Sequence, residues 1–154
     1  MDFIALLEKL RQTHDLIQQR VATAISNGLV VRNWLIGHYI VEFEQNGRDY
    51  AQYGERLLYR LSEELAQGGM KGMSYTNLTL YRKFYLGYPH LSSIAGRFST
   101  LQENLQPVAE DLSDWQLPAE TLLKRLSFTH FVELLKLDNP MQRLFYEMEC
   151  IKGN

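Results

Sequence analysis

Apolar residues recur at Phe3, Leu7, Leu10, Ile17, Val21 and Ala24, the three-and-four spacing of a helix face, and a second striped stretch carries Val30, Trp34, Ile36, Ile40 and Val41. One straight helix from Asp2 to Glu44 would run roughly 60 Å at 1.5 Å per residue, longer than a domain of this size is wide. The pattern therefore predicts a bend near Ser26, Asn27 and Gly28, with packing of part of the helix on another subunit as the alternative. Gln45, Asn46 and Gly47 read as a glycine C-cap, which closes an N-terminal helical region over 2–45.

A further helix is expected from near Asp49, with Leu57, Leu58, Leu61 and Leu65 on one face and Arg56, Arg60, Glu63 and Glu64 on the other. Three glycines between Gln67 and Gly72 interrupt it. Ser74 then stands where an N-cap should be, and the helix it opens is expected to reach about Leu86 before Tyr88 and Pro89 stop it. Helix, glycine-rich turn and polar second helix over 49–89 is the layout of a helix-turn-helix. Residues 90–117 are richer in Ser, Gly, Gln and Asn and read as loop with one short helix around 98–105. In 118–152, Pro118 reads as a first-turn proline, Leu122, Leu123 and Leu126 form a stripe, Ser127 caps a helix with Phe131, Leu134 and Leu135, and Asn139 with Pro140 opens the last helix. No alternating strand pattern or internal repeat is present. The expectation is one all-α domain over 1–154, a helical bundle containing a helix-turn-helix unit.

Composition changes this picture little. With 154 residues, 45% hydrophobic and 22% charged, the chain can build one real core. The lone Cys150 can form no internal disulfide, which fits a reducing interior, so cytoplasm is the expected compartment. No run is long and apolar enough to span a membrane, and the N-terminus reads as an amphipathic helix rather than a signal peptide.

Charge distribution is more useful than the net charge of −2. No Asp or Glu occurs from Gln67 to Gln102, whereas Lys71, Arg82, Lys83 and Arg97 are basic; an acidic stretch from Glu103 to Glu120 follows. A localised basic face can engage phosphates on a mildly acidic protein, because screening confines the field to about 10 Å. In the second helix of the motif, Leu78, Tyr81, Tyr85, Leu80 and Phe84 fall on apolar stripes and read as core. What remains for solvent is Tyr75, Thr76, Asn77, Thr79, Arg82 and Lys83, side-chain types that bond phosphates and base edges, with Lys71 flanking them from the turn. The bland alternatives are that Asn77 bonds back to its cap and that Arg82 pairs with a carboxylate such as Glu63 or Glu64.

Catalytic patterns are absent. His14, His38, His90 and His130 lack zinc-site spacing, His130 reads as a satisfied structural histidine, and there is no phosphate loop, nucleophile elbow or Pro-Asp with Asp/Glu-x-Lys nuclease arrangement. No cofactor or metal is expected.

The series Asn33-Trp34, Ile36-Gly37, Ile40, Glu42, Tyr53-Gly54, Leu57-Leu58, Leu61-Ser62, Gly72-Met73-Ser74, Asn77-Leu78, Arg82, Phe84-Tyr85 and Pro89 resembles the N-terminal domain of YhcG-like proteins. The run from Leu126 to Leu135, with Arg143, Phe145 and Tyr146, resembles the end of the same domain, so the likeness covers residues 16–151. That resemblance implies a helix-turn-helix or winged-helix-like domain that precedes a nuclease domain of the PD-(D/E)XK type acting on DNA. The sequence ends at Asn154, so the cleavage residues have no counterpart here and no catalysis is expected of this chain. Met73, Phe128 and Gly68-Gly69 differ from the family's pattern. The function expected is therefore a DNA-binding domain that positions a PD-(D/E)XK nuclease domain in cis or in trans. The alternative is a protein-interaction or oligomerisation module, such as a homodimer formed through the N-terminal helices, without nucleic-acid contact.

Overall fold

The structure, a computed structural model, describes residues 1–46, 53–93 and 116–153. Six helices occur among them: α1 (Phe3–Asn46), α2 (Leu57–Gln67), α3 (Tyr75–Gly87), α4 (Ala119–Arg125), α5 (Phe128–Leu134) and α6 (Pro140–Gly153). Short 3-10 turns at Gly54–Arg56 and Pro89–Leu91 precede α2 and follow α3. No strand occurs among the described residues, so none of them forms a wing. The predicted Gly47 cap, the helix start near Asp49 and the short helix at 98–105 lie outside the described residues.

α1 is not interrupted at the predicted bend: one helix of 44 residues passes through Ser26, Asn27 and Gly28. The physical reason is that a bend needs a cause, and the stretch has no proline, while a glycine inside a helix costs only about 1 kcal/mol relative to alanine. The size argument also fails, because the helix is not confined to the domain. No residue before Val30 is buried, whereas Val30, Val31, Asn33, Trp34, Gly37, Ile40 and Val41 are. The helix thus divides into a projecting arm and a strut that enters the core.

The strut packs chiefly on α3. Their crossing is close enough that a Cβ added at Gly37 would overlap the Tyr81 carbonyl, so no other residue type fits there without separating the helices. Next to this crossing, the Trp34 indole N–H donates to the Tyr88 carbonyl oxygen at 2.8 Å, satisfying both buried groups. The main core then gathers Val30, Val31 and Trp34 from α1, Phe84 and Tyr88 from α3 and its end, Leu122, Leu123 and Leu126 around α4, and Phe131, Leu134 and Leu135 around α5. A second cluster of Ile40, Met73, Leu78 and Tyr81 receives Leu58, Leu61 and Leu65, the leucine face of α2.

Local chemistry sets the later helix starts. The Ser127 backbone N–H donates to His130 Nδ1 at 3.1 Å, one half of a capping box with histidine in the glutamate position, so His130 has a structural role. Asn139 Oδ1 accepts from the backbone N–H groups of Met141 and Gln142 at 2.9 and 3.2 Å. Pro118 sits one position earlier than expected, at the N-cap of α4 rather than in its first turn. Helix α6 is tied to the end of α3 by polar contacts: the Tyr88 hydroxyl donates to Glu147 Oε1 at 2.7 Å, and Arg143 donates to the Leu137 carbonyl while lying over the Tyr88 ring. Glu147 is buried, and that burial raises its pKa against the opposing pull of the Tyr88 hydroxyl and Arg143.

Two outcomes follow. Gly37→Ala should destabilise the protein by at least ~2 kcal/mol in urea unfolding, because the backbone of α3 must move to admit the methyl. Since the folded pKa of Glu147 is raised, its stabilising contribution is complete below the ordinary glutamate value of 4.5 and is lost as pH rises through the folded value. Glu147→Gln keeps an acceptor for Tyr88 and should flatten that fall, seen as a gain in thermal midpoint that grows toward neutral pH.

Candidate nucleic-acid interface

The turn between α2 and α3 is built by glycines whose backbones are left-handed, Gly69 at φ 81° and Gly72 at φ 79°. Ser74 caps α3, its hydroxyl oxygen accepting from the Asn77 backbone N–H at 3.1 Å. Inward-facing Met73, Leu78, Tyr81 and Phe84 are all buried, which fixes the rotation of α3 and decides which side chains face out.

Tyr75, Thr76, Thr79 and Lys83 are exposed and follow the spacing of one outer face, with half-buried Arg82 at its edge. Lys71 is exposed in the preceding turn. Neither lysine has an ion-pair partner among the described residues. The hydroxyl of Thr79 donates back to the Tyr75 carbonyl at 2.9 Å.

Asn77 departs from this face. Its side-chain amide donates to the Gly72 carbonyl at 3.3 Å, and the Tyr81 hydroxyl donates to the same oxygen at 2.8 Å. Asn77 therefore holds the turn rather than facing outward. Arg82 is also engaged: its Nε and Nη2 donate to the two carboxylate oxygens of Glu44, both at 2.7 Å. The partner is a carboxylate near the end of α1, not Glu63 or Glu64. A bidentate pair of this kind fixes the guanidinium and cancels most of its charge at the surface.

Two further side chains complete the surface. Arg32 of α1 lies beside the turn, with its Nη2 3.8 Å from where a Cβ on Gly72 would stand, and its guanidinium is held by Asn33 Oδ1 at 2.9 and 3.0 Å. Tyr59 of α2 stacks on Tyr75 with ring centroids 4.0 Å apart and planes within 7°. Hydrogen bonding with the Tyr75 hydroxyl raises the Tyr59 pKa. The only sequence signal for Tyr59 is an aromatic residue off the leucine stripe of α2. For Arg32 there is none, since only the α1–α3 crossing brings it to the turn.

The result is a small surface with two exposed lysines, the held guanidiniums of Arg32 and Arg82, two stacked phenols and two threonines, side-chain types that bind phosphate and stack on bases. Among the described residues no group of three or more His, Cys, Asp or Glu could hold a metal, and no helix is long and apolar enough to cross a membrane.

Comparison with known proteins places this geometry in context. Residues 9–154 match the DUF1016 N-terminal domain. A protein of Escherichia coli (strain K12) that bears the name "Putative nuclease YhcG" is 37% identical over 123 residues, which cover 76% of this chain. They cover 32% of that relative, so the chain corresponds to about a third of its length. No solved structure matches.

Unfolding measurements separate the residues that build the turn from those that only face outward. Asn77→Ala should cost about 1 kcal/mol through the bond lost to Gly72, whereas Lys83→Ala should leave stability within about 0.5 kcal/mol.

Proposed function

The chain belongs to the DUF1016 N-terminal domain family, and on that premise we propose that it is a DNA-binding domain of helix-turn-helix type which positions a PD-(D/E)XK nuclease domain on DNA, with no catalysis of its own. The observation that carries this reading is the outward face of α3, where Lys83, Tyr75, Thr76 and Thr79 are exposed behind a turn that presents Lys71. In a helix-turn-helix the N-terminal part of the second helix enters the major groove. Tyr75, Thr76 and Thr79 would approach base edges there, while Lys71 and Lys83 neutralise phosphates. Asn77 supports the turn from behind. Arg82 stands at the edge of this face, where Glu44 accepts two of its bonds. The name borne by the E. coli relative agrees with a nuclease partner.

A second reading, interaction with another protein, is favoured by the projecting arm of α1, where Phe3, Ile4, Leu6, Leu10, Leu16, Ile17, Val21, Ile25 and Leu29 are exposed.

Titration of labelled duplex and branched DNA at two salt concentrations tests the first reading. Lys71 and Lys83 on phosphates, with Arg82 at the edge, give a log-log salt slope between about −2 and −3. The triple change of Lys71, Arg82 and Lys83 to Ala should abolish binding at the higher salt. Absent binding, or binding indifferent to the triple change, rejects this interface.

A further inference from the structure

The arm of α1 carries an apolar seam broken once by a histidine. Phe3, Leu7, Leu10, Ile17, Val21 and Ala24 repeat at heptad spacing, interrupted by His14 and ending at Gly28. Phe3, Ile4, Leu10, Ile17, Val21 and Ile25 are between 51% and 76% exposed. A helix of this length with several β-branched residues is marginal in water unless one face is covered.

The chain's own core cannot cover it. At 3.6 residues per turn, the seam through Ile17, Val21 and Gly28 lies roughly opposite the face on which Val30, Asn33, Gly37 and Val41 enter the core. Among the described residues nothing buries the seam.

We infer that the partner is a second copy of this chain, and that the two arms pair antiparallel. The inference rests on the interaction reading of the arm and supplies its occupant and its register. In a two-fold antiparallel pair, Phe3 faces Gly28 of the second copy, Leu7 faces Ala24, Leu10 faces Val21, and His14 faces Ile17. Every layer then sets a large side chain against a smaller or branched one, the complementarity that close packing needs. On the flanks Ile4 meets Ile25, Arg11 meets Gln18 and Arg20 meets Thr13, so no like charges oppose. A parallel pair would instead place Gly28 on Gly28 and Ala24 on Ala24, leaving voids, and would set Arg20 against Ile25. Covering the seam on both arms removes on the order of 1,000 Å2 of apolar surface from water, which reaches the size of a specific interface. The contact is isologous and closes at two copies.

Light scattering on the full chain across a concentration series should give twice the monomer mass, and Val21→Glu should return it to the monomer with the unfolding midpoint of the core unchanged. Val21 lies outside the core, so this change tests the seam and not the fold. In a Cys150→Ser background, a mixture of the Leu10→Cys and Val21→Cys chains should form a disulfide-linked pair under mild oxidation, and neither chain should do so alone. A monomer at every concentration, or a dimer that survives Val21→Glu, overturns the pairing through this seam. A dimer in which Leu10→Cys crosslinks to itself overturns the antiparallel register while leaving the interaction reading intact. Neither result depends on whether the chain binds DNA.

Discussion

The crossing of α1 and α3 at Gly37 is the contact on which the rest of the structure depends. A missing side chain lets the two helices approach until the Tyr81 carbonyl nearly fills the space of a methyl group. That approach brings Trp34 within hydrogen-bonding distance of Tyr88, directs Phe84 into the core and places Arg32 beside the turn. It also brings Glu44 to Arg82. A larger separation would weaken all of these at once, because dispersion contacts and hydrogen bonds both fall steeply over a few tenths of an ångström.

Helix α3 serves two surfaces. Its inner side is committed to packing by Leu78, Tyr81 and Phe84, and its ends are fixed by Ser74 and by the Trp34 bond to Tyr88. A helix so constrained cannot rotate to improve its outward contacts. Its outer face is accordingly sparse, with short threonines, two lysines counted with the turn and an arginine already held by a carboxylate.

Much of this was legible in the sequence where the cause is local. Ser74 and Asn139 announce helix starts because a side-chain oxygen must meet nearby backbone amides, and Leu78, Tyr81 and Phe84 of the second helix fall on the apolar stripes that become core. Less legible was anything decided by docking. Glu44 and Arg82 stand 38 positions apart, so no spacing rule pairs them. Arg32 reads as an ordinary surface cation until α1 is laid across the turn, and Asn77 reads as outward-facing until its amide is seen to bond Gly72. The bend expected in α1 came from assuming that the helix must fit within one compact body. In the continuous helix its apolar seam lies on the side away from the described core.

An unbroken helix from Phe3 to Asn46 also has a mechanical meaning. A flexible linker between an arm and a domain transmits position only loosely, whereas a helix without a joint behaves as a stiff shaft over this length. Any body that grips the arm also fixes the heading of the strut, and through the interlocked crossing at Gly37 it fixes the direction in which α3 points. The arm therefore governs orientation as well as proximity, in the way a keyed axle turns what is mounted on it.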